Sequence, residues 1–474
     1  MGAEHQIAFF VRELSGPDPA RRAAAAKGLG RIGRAEHAGV LAEAGRAAEP
    51  EVRAAAAVGL GRLGVPEDVL IDLMEDTDPE VRRQATAAAD RLALTGPAEL
   101  FGRLLRDDDW HVRLNALVRL TDLGTPGDLQ ALVRLLGDPE PAVWGRARSL
   151  VWKLMGDEAV AAEVLRTARQ GSGAARVKAL EMLPARYTAQ LRDSLLDGLH
   201  DEAPEVREAV AARLAGDPGT AGVLLAALEE EREPRVVRSL LNALRGRSEQ
   251  PLLTVAERWL HHPGVGPSAV GVLAGIGTPD AVRRLKSALV QGPPSVRATA
   301  AGALGELGDR EAVDLLLPLT RDPDRQVRTG ALDGLRLLSD HRLPRRDRRR
   351  VAEALADRLV ADPELVWHTR NALAGYAEAL PLVRRLVDEE PGEVRSAALS
   401  LLDEADVDRF LAYLDDPHEA VRYHAALGLG RYAREHGTLP PGGDGTADRL
   451  TALTTGGSPR TRRAAAEALA AIGR

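Results

Sequence analysis

The stretch EPEVRAAAAVGLGRLG, residues 49–64, decides the fold. Glu49 and Pro50 read as a turn and helix start, because a carboxylate is favourable beside the free N–H groups of a first turn and proline is tolerated there. After Arg53, small or apolar residues recur three and seven places on, at Ala56 and Leu60, which lie on one face of a helix. Gly64 follows a leucine and precedes the next turn, as helix ends require.

The same phrase returns along the whole chain, as DPEVRRQATAAADRLA (78–93), PPSVRATAAGALGELG (293–308), DPDRQVRTGALDGLRLLS (322–339) and DPHEAVRYHAALGLGRYA (416–433). The Arg register runs through Arg22, Arg53, Arg82, Arg113, Trp144, Arg176, Arg207, Arg238, Gly266, Arg297, Arg328, Trp367, Arg395, Arg422 and Arg462. That is 15 units, most of them 27 to 32 residues apart. A second amphipathic stretch precedes each turn, for example PEDVLIDLMED (66–76) and GDLQALVRLLGD (127–138). Each unit therefore predicts a helical hairpin of about 31 residues, which cannot bury its apolar face alone but can in a stack. The expected fold class is all-α: one α-solenoid domain over residues 1–474, about 15 hairpins in a curved superhelix. It carries a basic insertion at 340–350 and a Pro/Gly loop at 435–447 before the terminal repeat.

Composition agrees with packing by small side chains, since 45% of residues are hydrophobic and only 3% aromatic. With 63 basic against 70 acidic residues, the net charge of −7 offers no global polycation for nucleic acid or anionic membrane. The chain has no cysteine, which removes disulfides, thiolate metal sites and cysteine nucleophiles and fits a cytoplasmic location. No apolar run approaches the roughly 18 residues of a membrane span.

The pattern D-P-x-x-V-R-x-x-A-A-x-x-L-G resembles the HEAT repeat, specifically the short bacterial type first named for phycobilin lyases. The resemblance covers nearly the whole chain. It implies that second helices line the concave face, with the recurrent Arg at their start, and that the array serves as a scaffold or binding surface. A recurrent Arg is expected to bond turn carboxylates and carbonyls. A binding site is then expected where that ladder is interrupted.

Two interruptions stand out. Around the first lie Trp110, His111, Arg113, Asn115, Trp144, Arg146, Arg148, Trp152 and Lys153, either an aromatic patch edged by cations or rings filling a gap in an Ala-lined seam. Around the second lie Trp367, His368, Arg370, Asn371 and Tyr376, with Tyr423 and His424 two units later. Both Trp residues carry an arginine three or four places on, Arg148 and Arg370. The insertion gathers Arg342, Arg345, Arg346, Arg348, Arg349 and Arg350, either a solvated helix or a docking patch for an acidic partner or phosphate backbone.

No catalytic residue, metal site or cofactor is expected. The metal-binding His-Glu pairs of HEAT-type deoxyhypusine hydroxylases are not matched, because the one such pair, His418-Glu419, falls in a turn. Phosphate-cradling and nucleophile-elbow motifs do not occur, and a phycobilin lyase activity rests on the motif's name alone. The sequence points to a non-enzymatic scaffold binding a protein partner through its concave face, without a membrane. The alternatives are a nucleic-acid-binding protein similar to the HEAT-like alkylpurine DNA glycosylases and an enzyme acting on a small molecule in the groove.

Overall fold

A computed structural model describes residues 3–64, 68–94, 97–184, 188–215, 217–247, 250–441 and 445–473. Among the described residues there are 30 α-helices and no strand, and the helices pair in chain order into hairpins. The chain divides into two compact units, Met1–Val223 and Leu224–Arg474.

In the first unit, Pro50–Leu63 shows how the opening stretch folds. Pro50 stands in the first turn, Val52, Ala56 and Leu60 are buried, and Gly64 closes the helix with φ +73°. The next second helix, Pro79–Arg91, is capped by Asp78, whose carboxylate accepts the N–H groups of Glu80 and Val81. Such caps recur at Asp109 and, in the second unit, at Asp324.

Second helices approach one another very closely. A Cβ on Gly30 of Pro19–Ile32 would lie 2.5 Å from Cα of Gly59 on the next second helix. In the second unit a Cβ on Gly305 of Pro294–Glu306 would lie 2.7 Å from Cα of Gly334 on Arg325–Leu338. Only glycine permits these approaches. Ala and Gly thus set a tight second-helix layer, while leucines such as Leu70, Leu132, Leu285 and Leu316 bury the first helices against it.

The expected ladder of arginines is present, with a defined polarity. Arg53 donates to both carboxylate oxygens of Asp76 at 2.7 and 2.8 Å, and to the carbonyls of Ala47 and Ala48 in its own turn. Asp76 belongs to the turn of the following hairpin, where it also accepts the Asp78 N–H. Arg82 repeats this with Asp107 and Arg113 with Asp138, and in the second unit Arg328 pairs with Asp362. Arg176 and Arg395 reach forward to Asp201 and Asp416 while donating back to the buried carbonyls of Ala168 and Val387. Every such pair joins two hairpins.

The structure places the basic insertion at and before the start of a first helix. Its arginines do not form one free patch, because they lie on or before the first helix Arg345–Ala361 among carboxylates of neighbouring elements. Arg348 donates to Glu378 and to the carbonyls of Ser339 and Gly375, and its guanidinium lies 5.3 Å from the Tyr376 ring centroid. Arg350 bonds Asp314 and Asp347, and exposed Arg349 bonds Glu353. Arg342, Arg345 and Arg346 remain exposed. The expected Pro/Gly loop at 435–447 begins at the end of Glu419–His436, with Gly437 at φ +67°, and residues 442–444 lie outside the described set.

Candidate functional site

The ladder breaks at Trp144 on both sides of the junction. In the intact steps the accepting carboxylate, Asp76, Asp107 or Asp138, stands six residues before the register position of its own hairpin, Arg82, Arg113 or Trp144. That register before Arg176 holds Gln170, so the carboxylate that accepts in the intact steps is missing here. Trp144 instead reaches forward onto a cation: Nζ of Lys178, on the next second helix Gly173–Met182, lies 5.5 Å from the ring centroid. Arg148, one turn along its own helix, lies 5.6 Å from the same centroid. The half-buried ring neither fills an Ala-lined seam nor stands free, because two cations flank it.

The same helix, Pro141–Leu154, carries Trp152 with 64% of its surface exposed. Beside it is an open groove of about 470 Å³, lined by Arg148, Ser149, Trp152, Glu181 and Met182. Glu181 pairs with Lys178 at 2.9 Å. Lys153 donates to the Thr121 carbonyl at 3.0 Å, and half-buried Arg146 has an Nε without a hydrogen-bond partner. Trp110 does not join this group through a ring contact, but stacks on His111 with centroids 3.6 Å apart. Arg113 is held in the ladder and Asn115 turns back to Thr86 Oγ1, so neither supplies the groove. Lys178, Glu181 and Met182 escaped the sequence reading because they come from the next repeat. Their only signal was their register after Arg176.

The second interruption has a different construction. Trp367, on the short helix Val366–Leu373, meets His424 on Glu419–His436 with centroids 5.7 Å apart, and Tyr423 packs edge-on against His424 at 4.8 Å. These residues are two repeats apart, and the helix between them, Gly392–Leu399, carries the small buried Ser396 beneath the contact. His424 Nδ1 lies 2.9 Å from the Ala420 carbonyl and 3.0 Å from Ser396 Oγ. The carbonyl can only accept, so Nδ1 carries the proton and Nε2 keeps its lone pair. Burial pushes the His424 pKa below the usual histidine range, and nearby Arg370 and Arg431 push it the same way, so the ring is neutral.

The parallel between Arg148 and Arg370 does not extend to their contacts. Arg370 turns from its tryptophan and donates to Ser400 Oγ at 2.8 Å and to the Ser400 carbonyl at 3.2 Å. The acceptor on the next hairpin draws it away, whereas no carboxylate draws Arg148. His368 and Trp367 are both exposed here, Trp367 by 40%. Tyr376 is no part of this face, since its hydroxyl is buried and donates to the Leu335 carbonyl at 2.5 Å.

Among the described residues no group of three or more His, Cys, Asp or Glu side chains is placed to hold a metal ion, and no helix is long and apolar enough to cross a membrane. Glu419 accepts from Ser458 N at 2.8 Å and Thr461 Oγ1 at 2.6 Å of the terminal hairpin.

The HEAT repeat family matches residues 7–89, 67–150, 262–336, 282–374 and 407–474. The chain belongs to the HEAT-repeat family. Among solved structures, this HEAT-repeat chain is similar to yeast importin-β in the structure that describes its binding to RanGDP, with TM-score 0.55 and 13% identity over 98% of this chain and 75% of that one. It is also similar to importin-β crystallised from polyethylene glycol, with TM-score 0.52 and 13% identity over 99% of this chain and 88% of that one. At such identity the likeness is one of fold. No curated protein matches the sequence.

Proposed function

We propose that this HEAT-repeat protein is a non-enzymatic scaffold that binds a protein partner through the face presented by its second helices. The observation that carries this reading is the coincidence of ladder breaks with exposed aromatic rings. Trp144 and Trp367 interrupt the Arg register, and Trp152 and Trp367 are the large aromatic surfaces left open there. Exposed tryptophans edged by polar groups serve as anchors in protein interfaces. Yeast importin-β, which shares the fold, binds another protein, RanGDP. The repeat spacing of 31 residues from Arg207 to Arg238 runs through the boundary between the units, which supports reading the chain as one array. The D-P-x-x-V-R phrase supports assigning the repeats to the short phycobilin-lyase-like type, and the lack of cysteine supports a cytoplasmic setting.

The nucleic-acid reading is weaker because the recurrent arginines are already neutralised. Arg53, Arg82 and Arg113 are 15%, 16% and 12% exposed and each grips a carboxylate, so they do not offer a phosphate-binding strip. Partner capture with wild type and with Trp152→Ala and Trp367→Ala, each verified as folded, tests the proposal. Loss of a captured protein from either variant supports it. A partner retained at full affinity by both, or DNA retention that falls steeply with salt, would overturn it.

A further inference from the structure

We infer that the cavity at the start of the helix Gly173–Met182 binds a phosphoryl group, on residues separate from the tryptophans of the protein-binding proposal. The cavity has a volume of about 310 Å³, and most of its lining comes from two first helices, Leu129–Arg134 and Glu158–Gln170. Three arginines line it, Arg106, Arg134 and Arg166, against one carboxylate, Glu163. Arg166 takes up that carboxylate, donating from Nε to Oε2 at 2.8 Å and from Nη2 to Oε1. Arg106 pairs with Asp128 at 2.6 Å, and the other oxygen of Asp128 accepts the Ala131 N–H. Arg134 is exposed and has no hydrogen-bond or ion-pair partner among the described residues. Both nearby carboxylates are thus occupied while one guanidinium is left over, in a protein whose net charge is −7.

The turn at this cavity lacks both acids of the regular turns. Where earlier repeats have Asp76 and Asp78, or Asp107 and Asp109, this one has Gln170 and Ser172. Ser172 caps the helix without a side-chain hydrogen bond, and the first turn holds no acid. The N–H groups of Gly173, Ala174 and Ala175 precede the first helical bond, from Arg176 to the Ser172 carbonyl, and have no acceptor within the helix. They present the positive end of a 10-residue helix to the cavity. A Cβ on Gly137 would lie 2.5 Å from the Ala175 nitrogen, so glycine at 137 keeps that amide uncovered. Independently, Thr167 lines the cavity at only 8% exposure, and its hydroxyl has no hydrogen-bond partner among the described residues. Buried Thr86 and Thr320 instead turn back onto the carbonyls of Arg82 and Leu317, at 2.9 and 2.8 Å, as helical threonines do. Amide N–H groups, a hydroxyl and a guanidinium from three elements can each meet a separate oxygen of a tetrahedral dianion. A carboxylate, with two oxygens and one charge, would leave donors unmet.

The test titrates the full chain with inorganic phosphate in chloride buffer, read by calorimetry and thermal shift, with acetate as the control anion. Phosphate binds saturably and acetate does not. Arg134→Gln weakens phosphate roughly tenfold and Thr167→Val about threefold, while circular dichroism stays unchanged. Ser172→Asp puts back the capping carboxylate of the regular turns. It keeps or raises the melting temperature and abolishes phosphate binding, so that loss of binding is separated from loss of fold. Glycerol phosphate and a phosphoserine peptide, each beside its unphosphorylated form, distinguish the sources of the group. Tighter binding of the first than of inorganic phosphate assigns it to a small ester, and of the second to a side chain of a partner. No saturable phosphate binding, equal binding of acetate, or an affinity unaltered in both Arg134→Gln and Ser172→Asp would overturn the inference. Single-stranded DNA that displaces phosphate at lower concentration than either ester would overturn it in favour of a nucleic-acid backbone.

Discussion

Trp144 and Lys178 join consecutive hairpins, with Nζ 5.5 Å from the ring centroid, where intact steps use an Arg–Asp pair. A charge-to-charge link has been replaced by a cation–π link, and the acceptor register has changed to Gln170. The substitution is paired across the junction. The same pairing recurs at Gly266, whose facing register before Arg297 is Gln291 and whose added Cβ would lie 2.6 Å from the Leu260 carbonyl oxygen.

Breaking the Trp144 link should therefore show coupling. Trp144→Ala and Lys178→Ala are expected to be non-additive by about 0.5–1 kcal/mol in a double-mutant cycle, read from urea unfolding. Purely additive losses would mean that the ring and the ammonium are neighbours without an interaction. Trp144→Arg alone should not rebuild the ladder step, because its acceptor position holds Gln170.

A second prediction concerns the intact ladder. Asp76→Asn should cost roughly 2–3 kcal/mol, since it leaves the Arg53 guanidinium part-buried without its anion. Hydrogen bonds from Arg53 hold the Asp76 carboxyl below the usual carboxylate range, against opposing burial. A lowered folded pKa contributes stability above the unfolded value of about 4, and this is lost as pH falls through the folded value. The gap between wild type and Asp76→Asn should be full at pH 7 and shrink in acid, as measured by hydrogen exchange in Pro50–Leu63 and Pro79–Arg91.

The last step of the array depends on Glu419. Burial opposes its ionisation, but hydrogen bonds from Thr461 and Ser458, with Arg422 nearby, bring its pKa down to about 2. Its contribution is present above about pH 4.5 and is lost as pH falls towards 2. Glu419→Gln should raise exchange in Pro459–Ala470 at neutral pH while leaving the first unit's exchange unchanged. Uniform acceleration over the chain would contradict this local role.

Glycine separates the tight layer from the open face. Gly305→Ala should destabilise by about 1–3 kcal/mol, because its Cβ would press on the Gly334 backbone. Gly302→Ala, three residues away with nothing within 4 Å, should be neutral or stabilising by up to about 1 kcal/mol. Thermal unfolding of both variants tests the contrast.

Local signals made much of the fold legible. Turn acid, first-turn proline and apolar residues spaced along one helix face are properties of single hairpins, and the predicted helix at 49–64 appears as Pro50–Leu63. The aromatic exceptions were legible too, because regularity made Trp144 and Trp367 visible. Their partners were not. Lys178, Ser396, Ser400 and Met182 are ordinary residues in ordinary repeats, and their importance comes from what the stack places beside them. The partners of the Arg run at 342–350 were hidden for the same reason, since the carboxylates that take up Arg348 and Arg350 lie far off in sequence, at Glu378 and Asp314.

The sequence by itself determined the helical hairpins, their register and the places where the ladder would fail, since periodicity and capping act within a few turns of chain. Only the tertiary structure decided that Trp144 grips Lys178, that Trp367 meets His424 across an intervening hairpin, and that Trp152 is left open. Those outcomes depend on how closely successive helices approach. That distance is set by the packing of small side chains from different repeats.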